Sequence, residues 1–221
     1  MYVAIIGDII HSKSIPDRRN IQIQLKDVLD QINTEFNQEV SAKFIITLGD
    51  EFQGLLSSAS NILQIIDRIQ FEMFPVRIRF GIGIGNIETE IIKDMAIGAD
   101  GPAYHYAREM MNYIKICERG KMFGSTNIML KADTHLDLIT LINSSLQLCS
   151  YLERNWTDKQ RTLLKLIILE NKNQKEAAIE LGIEQSSVQR RLKAAGYYDY
   201  ISVKSSIKDI LKENWGELGG K

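Results

Sequence analysis

Residues 44–56, Phe-Ile-Ile-Thr-Leu-Gly-Asp-Glu-Phe-Gln-Gly-Leu-Leu, read as a strand over Phe44–Leu48, a tight turn at Gly49-Asp50 and a returning strand over Glu51–Leu56. This hairpin interrupts an otherwise regular alternation of strand and helix. Upstream, Tyr2 to Gly7 is a short apolar run closed by Asp8, the pattern of a buried strand with an acid at its C-terminal end. Between the two, Ile21, Leu25, Val28, Leu29, Ile32 and Phe36 recur at helical intervals within Asp17–Phe36. Downstream, Ile62, Ile65, Ile66 and Ile69 mark a second helix over Ser60–Phe71, and Pro75 admits a strand, Val76–Ile84, that alternates Val76, Ile78 and Phe80 with Arg77 and Arg79. Glycines at 81, 83 and 85 bend that strand or let another segment approach its backbone closely.

Further on, a helix is read from about Ala103 to Glu118, a strand around Met122–Met129, and one long apolar helix over Leu136–Leu152. Strands and helices that alternate around an internal hairpin predict an α+β fold, an antiparallel or mixed sheet covered by helices, and the order fits a ferredoxin-like palm. The expected division is a palm over residues 1–132, a connector helix over 133–155 and an all-α module over 156–221.

Composition supports a globular chain. Of 221 residues, 44% are hydrophobic and 25% charged, with a net charge of −1, which excludes disordered and low-complexity classes. No apolar run approaches the roughly 18 residues of a membrane span, and Met1 leads straight into the first strand with no basic leader, so a cytoplasmic protein is expected. Cys117 and Cys149 lie in apolar, helix-like contexts and read as core thiols. Charge is divided unevenly: residues 1–155 hold 15 Lys and Arg against 19 Asp and Glu, whereas residues 156–212 hold 11 against 7. An acidic front and a basic back suggest different partners for two modules.

Asp8 and Asp50 end two strands. If these strands are neighbours, their carboxylates converge at one edge of the sheet, where two hard oxygen ligands, a backbone carbonyl and a substrate phosphate would suit Mg²⁺. The loop Ile10-His11-Ser12-Lys13-Ser14 then enters a helix, and its N–H groups and hydroxyls suit phosphate oxygens. Lys13, Arg18 and Arg19 add positive charge nearby. The two aspartates equally suit turn and cap positions, where Asp after Gly is common. His11, His105 and His135 are too scattered for a metal trio, and Tyr104, Tyr106 and Tyr113 fall at near-helical intervals that suit core packing.

Ile5-Ile6-Gly7-Asp8-Ile9-Ile10-His11-Ser12, Leu48-Gly49-Asp50-Glu51-Phe52-Gln53-Gly54 and Arg77-Ile78-Arg79-Phe80-Gly81-Ile82-Gly83-Ile84-Gly85 together resemble class III nucleotidyl cyclases and their GGDEF relatives. The resemblance implies a cyclase-like palm binding two metal ions (Mg²⁺ or Mn²⁺) and a purine nucleoside triphosphate or related nucleotide. The implied ligands are Asp8, the carbonyl of Ile9 and Asp50, with Glu51 as acidic neighbour. Gly98-Ala99-Asp100-Gly101-Pro102-Ala103-Tyr104-His105-Tyr106-Ala107-Arg108 is similar to the cyclase stretch carrying a transition-state Asn and Arg. Arg108 matches the Arg, while Tyr104 stands at the Asn position and His11-Ser12 replaces the cyclase Gly-Phe. Over nearly its whole length the chain resembles the SatD family of bacterial proteins, which shares the opening Gly-Asp-Ile-x-x-Ser, the Gly-Asp-Glu-Phe-Gln hairpin, the Asp-Gly-Pro-Ala segment and a similar C-terminal module. That family is associated with bacterial acid-tolerance operons.

After Trp156, Leu163, Leu164, Ile167 and Ile168 line one side of a helix over Lys159–Glu170. In the following Asn173–Lys193 segment, Ala177 and Ala178 permit close packing, Gly182 permits a turn, and Ile183, Val188 and Leu192 would hold a second helix on the first. This looks like the helix-turn-helix of sigma factors and many bacterial regulators. A recognition helix from about Gln185 directs Gln185, Ser186, Gln189 and Arg190 toward base edges, with Ser187 and Arg191 or Lys193 reaching phosphates of duplex DNA. A trihelical packing or dimerisation module that touches no DNA fits the same pattern. The expected function is a DNA-binding regulator governed by a nucleotide with Mg²⁺, and homodimer pairing would raise its DNA affinity. The rival is a nucleotidyl cyclase or other metal-dependent nucleotide-phosphate enzyme whose C-terminal module localises or dimerises it.

Overall fold

The computed structural model describes residues 1–96, 98–120 and 126–216. Among the described residues, five strands and eight α-helices follow in the order β1 (Tyr2–Ile9), α1 (Arg18–Glu35), β2 (Val40–Leu48), β3 (Glu51–Leu56), α2 (Ile62–Met73), β4 (Ile78–Gly85), α3 (Pro102–Arg119), β5 (Ile128–Ala132), α4 (Leu136–Asn155), α5 (Asp158–Ile168), α6 (Gln174–Leu181), α7 (Gln185–Ala194) and α8 (Tyr197–Trp215). A 3₁₀ turn at Ser12–Ser14 joins β1 to α1. The sheet runs β2-β3-β1-β4-β5. Every pairing is antiparallel except β4 with β5. The α+β class and the hairpin at Gly49-Asp50 are therefore as read from the sequence.

Alternation along β1 sorts its side chains between two layers. Val3, Ile5 and Ile9 join Leu25, Val28, Leu29 and Ile32 of α1 and Ile62, Ile65, Ile66 and Ile69 of α2 in the larger core. Ala4 and Ile6 face the opposite way, onto Ala103, Tyr104, Ala107 and Met111 of α3. Asp8 shares that second face, opposite Glu51 on β3 and Arg79 on β4. The glycines of β4 set how closely α3 lies on the sheet. A Cβ on Gly83 would stand 2.0 Å from the Ala103 carbonyl oxygen, and one on Gly81 2.2 Å from that of Ala107. Close approach, the second of the two expectations for these glycines, accounts for them.

Both edges of the sheet are closed by one device. Asn143 of α4 accepts from the Leu130 N–H and donates to the Leu130 carbonyl, each at 2.8 Å. On β2, Asn33 of α1 accepts from the Phe44 N–H at 2.7 Å and donates to its carbonyl at 2.9 Å. The Thr126 hydroxyl does the same for Ile128. Side chains thus occupy strand groups that would otherwise template pairing with another chain. Asn33→Ala and Asn143→Ala should each destabilise the protein by about 1–3 kcal/mol in urea unfolding, because each leaves two partly buried backbone groups without partners. Light scattering should also show concentration-dependent association.

β5 begins later than the strand read around Met122–Met129, and residues 122–125 of that stretch lie outside the described residues. The C-terminal helices α5, α6 and α7 pack around Leu163, Leu164, Leu166, Ala177, Ala178, Val188 and Leu192. Gly182 caps α6 with φ 61° and turns the chain into α7. The sequence reading did not anticipate α8. Its first half contributes Tyr200 to this second core, and its second half returns Ile207, Leu211 and Trp215 to the sheet's larger core. Residues 156–216 are therefore interlocked with the first unit. Among the described residues, no helix is long and apolar enough to cross a membrane.

Candidate functional site

Asp8 is the next-to-last residue of β1, which continues through Ile9 rather than closing at the acid as read from the sequence, and its register places it between Glu51 and Arg79. It is only 8% exposed. Its Oδ2 accepts from Arg79 Nη1 at 2.5 Å, and Lys115 Nζ of α3 lies 3.2 Å from Oδ1. Arg79 also bonds Glu118 of α3 through Nε at 2.9 Å and Nη2 at 2.5 Å. Burial opposes the charge on Arg79, but Glu118 and then Asp8 outweigh it and hold its pKa above the ordinary value.

Asp50 is held beside the end of β1. Its backbone carbonyl accepts from the Ile9 N–H at 3.1 Å, and its Oδ2 accepts from the Ser12 hydroxyl. The Ile10 N–H donates to the Arg77 carbonyl at 2.8 Å on the other side. His11 turns the chain with φ 56°, and its carbonyl accepts from the Ser14 hydroxyl at 2.7 Å. These constraints fold residues 10–14 over a cleft of about 1250 Å³.

Six of the residues proposed from sequence line this cleft: Asp8, Ile9, His11, Ser12, Lys13 and Asp50. Glu51 and Arg108 do not line it. They pair with each other, Arg108 Nη1 to Glu51 Oε2, at 2.6 Å on the α3 side of the sheet. Tyr104 is buried, its hydroxyl has no hydrogen-bond partner among the described residues, and burial raises its pKa. His105 lies apart, 2.9 Å from Asp100 at the surface. The cleft also recruits Arg77, Arg79, Lys115, Glu118, Arg119, Tyr151 and Arg154, which sequence reading missed. The Arg77-x-Arg79 alternation and the 115, 118, 119 spacing on α3 were visible signals. Their convergence depends on α3 packing across β1 and β4 and α4 packing on β5.

The lining carries six Lys and Arg side chains against three carboxylates, an electrostatic balance suited to a polyanion. Two carboxylates and a backbone carbonyl also match the hard donors Mg²⁺ prefers, which usually takes one or two carboxylates and completes its shell with water and phosphate. Among the described residues, no group of three or more His, Cys, Asp or Glu is placed to hold a metal. An ion at Asp8 would thus need phosphate or water ligands and would compete with Arg79 and Lys115.

On α7, Val188 and Leu192 are buried and fix the helix's rotation. Gln185, Ser186, Gln189, Arg190 and Lys193 are exposed, and Ser187 and Arg191 half-buried. Arg190 Nη2 donates to Ser187 Oγ at 3.0 Å. A shallow cleft of about 430 Å³ joins this helix to the start of α5, bringing Lys159 and Gln160 beside Ser187, Arg190 and Arg191.

A protein-family model, the SatD family, matches residues 2–211. Comparison with curated proteins gives no match. With the match spanning nearly the whole chain, the protein belongs to the SatD family.

Proposed function

We propose that this member of the SatD family is a cytoplasmic DNA-binding regulator whose N-terminal unit binds a nucleotide through its phosphates, together with Mg²⁺. The carrying observation is the cleft at the end of β1, where Asp8 and Asp50 stand among Lys13, Arg77, Arg79, Lys115, Arg119 and Arg154. The order β2-β3-β1-β4, with α1 and α2 as crossovers, supports the ferredoxin-like palm reading, with β5 as an added strand. In this reading Lys13 and N–H groups at the tip of the loop hold phosphate oxygens, the Ser12 hydroxyl, already donated to Asp50, orients that carboxylate, and Asp8, Asp50 and the Ile9 carbonyl provide a cation's protein ligands. Bound Mg²⁺ would neutralise and orient the phosphates. The short α6–Gly182–α7 connection and the outward polar face of α7 support a helix-turn-helix that meets duplex DNA, with a homodimer as the DNA-binding form.

Isothermal calorimetry with ATP or GTP and Mg²⁺ tests the first half. Asp8→Asn combined with Asp50→Asn should abolish the Mg²⁺-dependent part of the affinity, while metal-free binding of phosphate persists or strengthens as Arg79 and Lys115 lose a competing anion. Unchanged Mg²⁺ dependence in that variant would refute the metal assignment. Binding is favoured over turnover because Arg108, the position corresponding to a cyclase transition-state Arg, is engaged by Glu51 away from the cleft lining. Incubation with ATP or GTP and Mg²⁺ or Mn²⁺, across protein concentrations, should yield little cyclic product. Rapid product formation abolished by Asp8→Asn would establish the enzyme reading instead.

A further inference from the structure

We infer that Tyr151 and Arg154, near the C-terminal end of α4, contact the phosphorylated ligand and transmit its occupancy to α7. This inference rests on the nucleotide-cleft reading above. Both side chains line the cleft, yet they belong to the helix that leads directly into the C-terminal module. Tyr151 is 60% exposed, so its ring is available to a base or ribose, and Arg154 adds charge for phosphate.

The opposite side of the same helical turn is anchored. Glu153 is buried and accepts from the Tyr200 hydroxyl of α8 at 2.9 Å. Its backbone carbonyl accepts from Arg161 of α5. The Trp156 indole N–H, just past α4, donates to the carbonyl of Ala195 at 2.8 Å, and Ala195 is the C-cap of α7. Trp156 also stacks on Phe71 of α2, with ring centroids 6.2 Å apart, and meets Tyr200 edge-on at 5.0 Å. From Tyr151 to Trp156 is about 7.5 Å along a helix axis. A ligand bridging Arg154 to the β1 loop restrains this short rigid piece, and the indole passes the restraint to the end of α7.

The test uses the full-length protein, with ATP, GTP and inorganic tripolyphosphate as separate probes, each with Mg²⁺. Calorimetry measures binding, and hydrogen exchange read by mass spectrometry follows residues 192–196. Ligand should slow exchange there about threefold or more, a readout of local opening. Arg154→Gln should weaken binding about tenfold, the loss of one charge-assisted contact. Trp156→Phe keeps an aromatic ring but removes the N–H. It should bind ligand as the parent does and lose the exchange response. A nucleotide response without a tripolyphosphate response assigns a nucleoside contact to Tyr151, and equal responses remove that contact from the proposal. Binding that leaves residues 192–196 unchanged, or a Trp156→Phe protein that responds fully, overturns the coupling alone. No binding by any probe overturns the cleft reading and the coupling with it.

Discussion

Lys204→Met should destabilise the protein by about 3–5 kcal/mol, the cost of leaving a buried charge without its partner. Lys204 sits 4% exposed on α8, its Nζ 2.7 Å from Asp67 Oδ1 of α2. The Tyr200 hydroxyl lies 2.9 Å from Glu153 Oε1 and 3.5 Å from Asp67 Oδ1. Two carboxylates, one ammonium and a phenol are thus buried where α2, α4 and α8 meet. Burial is the largest influence on Lys204 and opposes its charge, but Asp67 and Glu153 overcome it and hold its pKa above the ordinary value. Methionine preserves much of the side-chain length while removing the charge and the Nζ hydrogen bond to Asp67. Adding Asp67→Asn should recover much of the loss, since it removes the orphaned anion. Urea unfolding of the two variants measures the difference, and an equal loss in both would show that packing, not charge, dominates.

The same cluster sets a pH dependence of defined sign. Burial raises the pKa of both Asp67 and Glu153, only partly offset by Lys204. Below the unfolded carboxylate value, about 4, both states are protonated and the contribution is flat. As pH rises from there through the raised folded values, the folded state holds protons that the unfolded state releases, so the cluster's contribution to stability falls. Glu153→Gln keeps an acceptor for Tyr200 but removes a titrating group. Its stability relative to the parent should therefore rise as the pH climbs above the unfolded carboxylate value, about 4. A constant difference over that range would exclude titration of Glu153.

What could be read from the sequence followed from strong periodicity. Isoleucines at 62, 65, 66 and 69 announce α2, and the apolar run before Asp8 announces β1, because burial of those side chains requires those elements. The helix α8 escaped notice although Tyr200, Lys204, Ile207, Leu211 and Trp215 recur at helical intervals. A lysine in the middle of the stripe conceals it, and only tertiary placement of Asp67 and Glu153 makes that position tolerable. The candidate site divides in the same way. Asp8, Asp50 and residues 11–13 are contiguous with strand ends and could be found locally. Arg77 reaches the cleft from the residue before β4, beside the end of β1, and Lys115, Tyr151 and Arg154 reach it only because α3 and α4 pack on the sheet. Glu51 and Arg108 were carried over from a family pattern, but here their opposite charges meet across β3 and α3 and satisfy each other. Asn33 and Asn143 gave no sequence signal, since an asparagine in a helix does not reveal that a strand edge lies within reach.

If α7 reads base edges as proposed, Gln189→Ala combined with Arg190→Ala should reduce specific DNA affinity by about 2–6 kcal/mol, the sum of two base-edge contacts worth about 1–3 kcal/mol each. Both residues are exposed, so stability should change by no more than about 0.5 kcal/mol per substitution. Their direction is set by Val188, 0% exposed, and Leu192, 1% exposed, which bury the opposite side of α7. Base readers and phosphate contacts differ in their response to salt. Removing Gln189 and Arg190 should erase discrimination between sequences, whereas Lys193→Ala should weaken all sequences alike and lower the salt slope by about one. Selection from genomic fragments at near-physiological salt, with and without ATP or GTP and Mg²⁺, supplies the target. Fluorescence anisotropy across a salt series then measures each variant. Should the folded parent enrich no sequence in either condition, α5–α8 serve packing or dimerisation, and the exposed face of α7 meets protein instead of DNA.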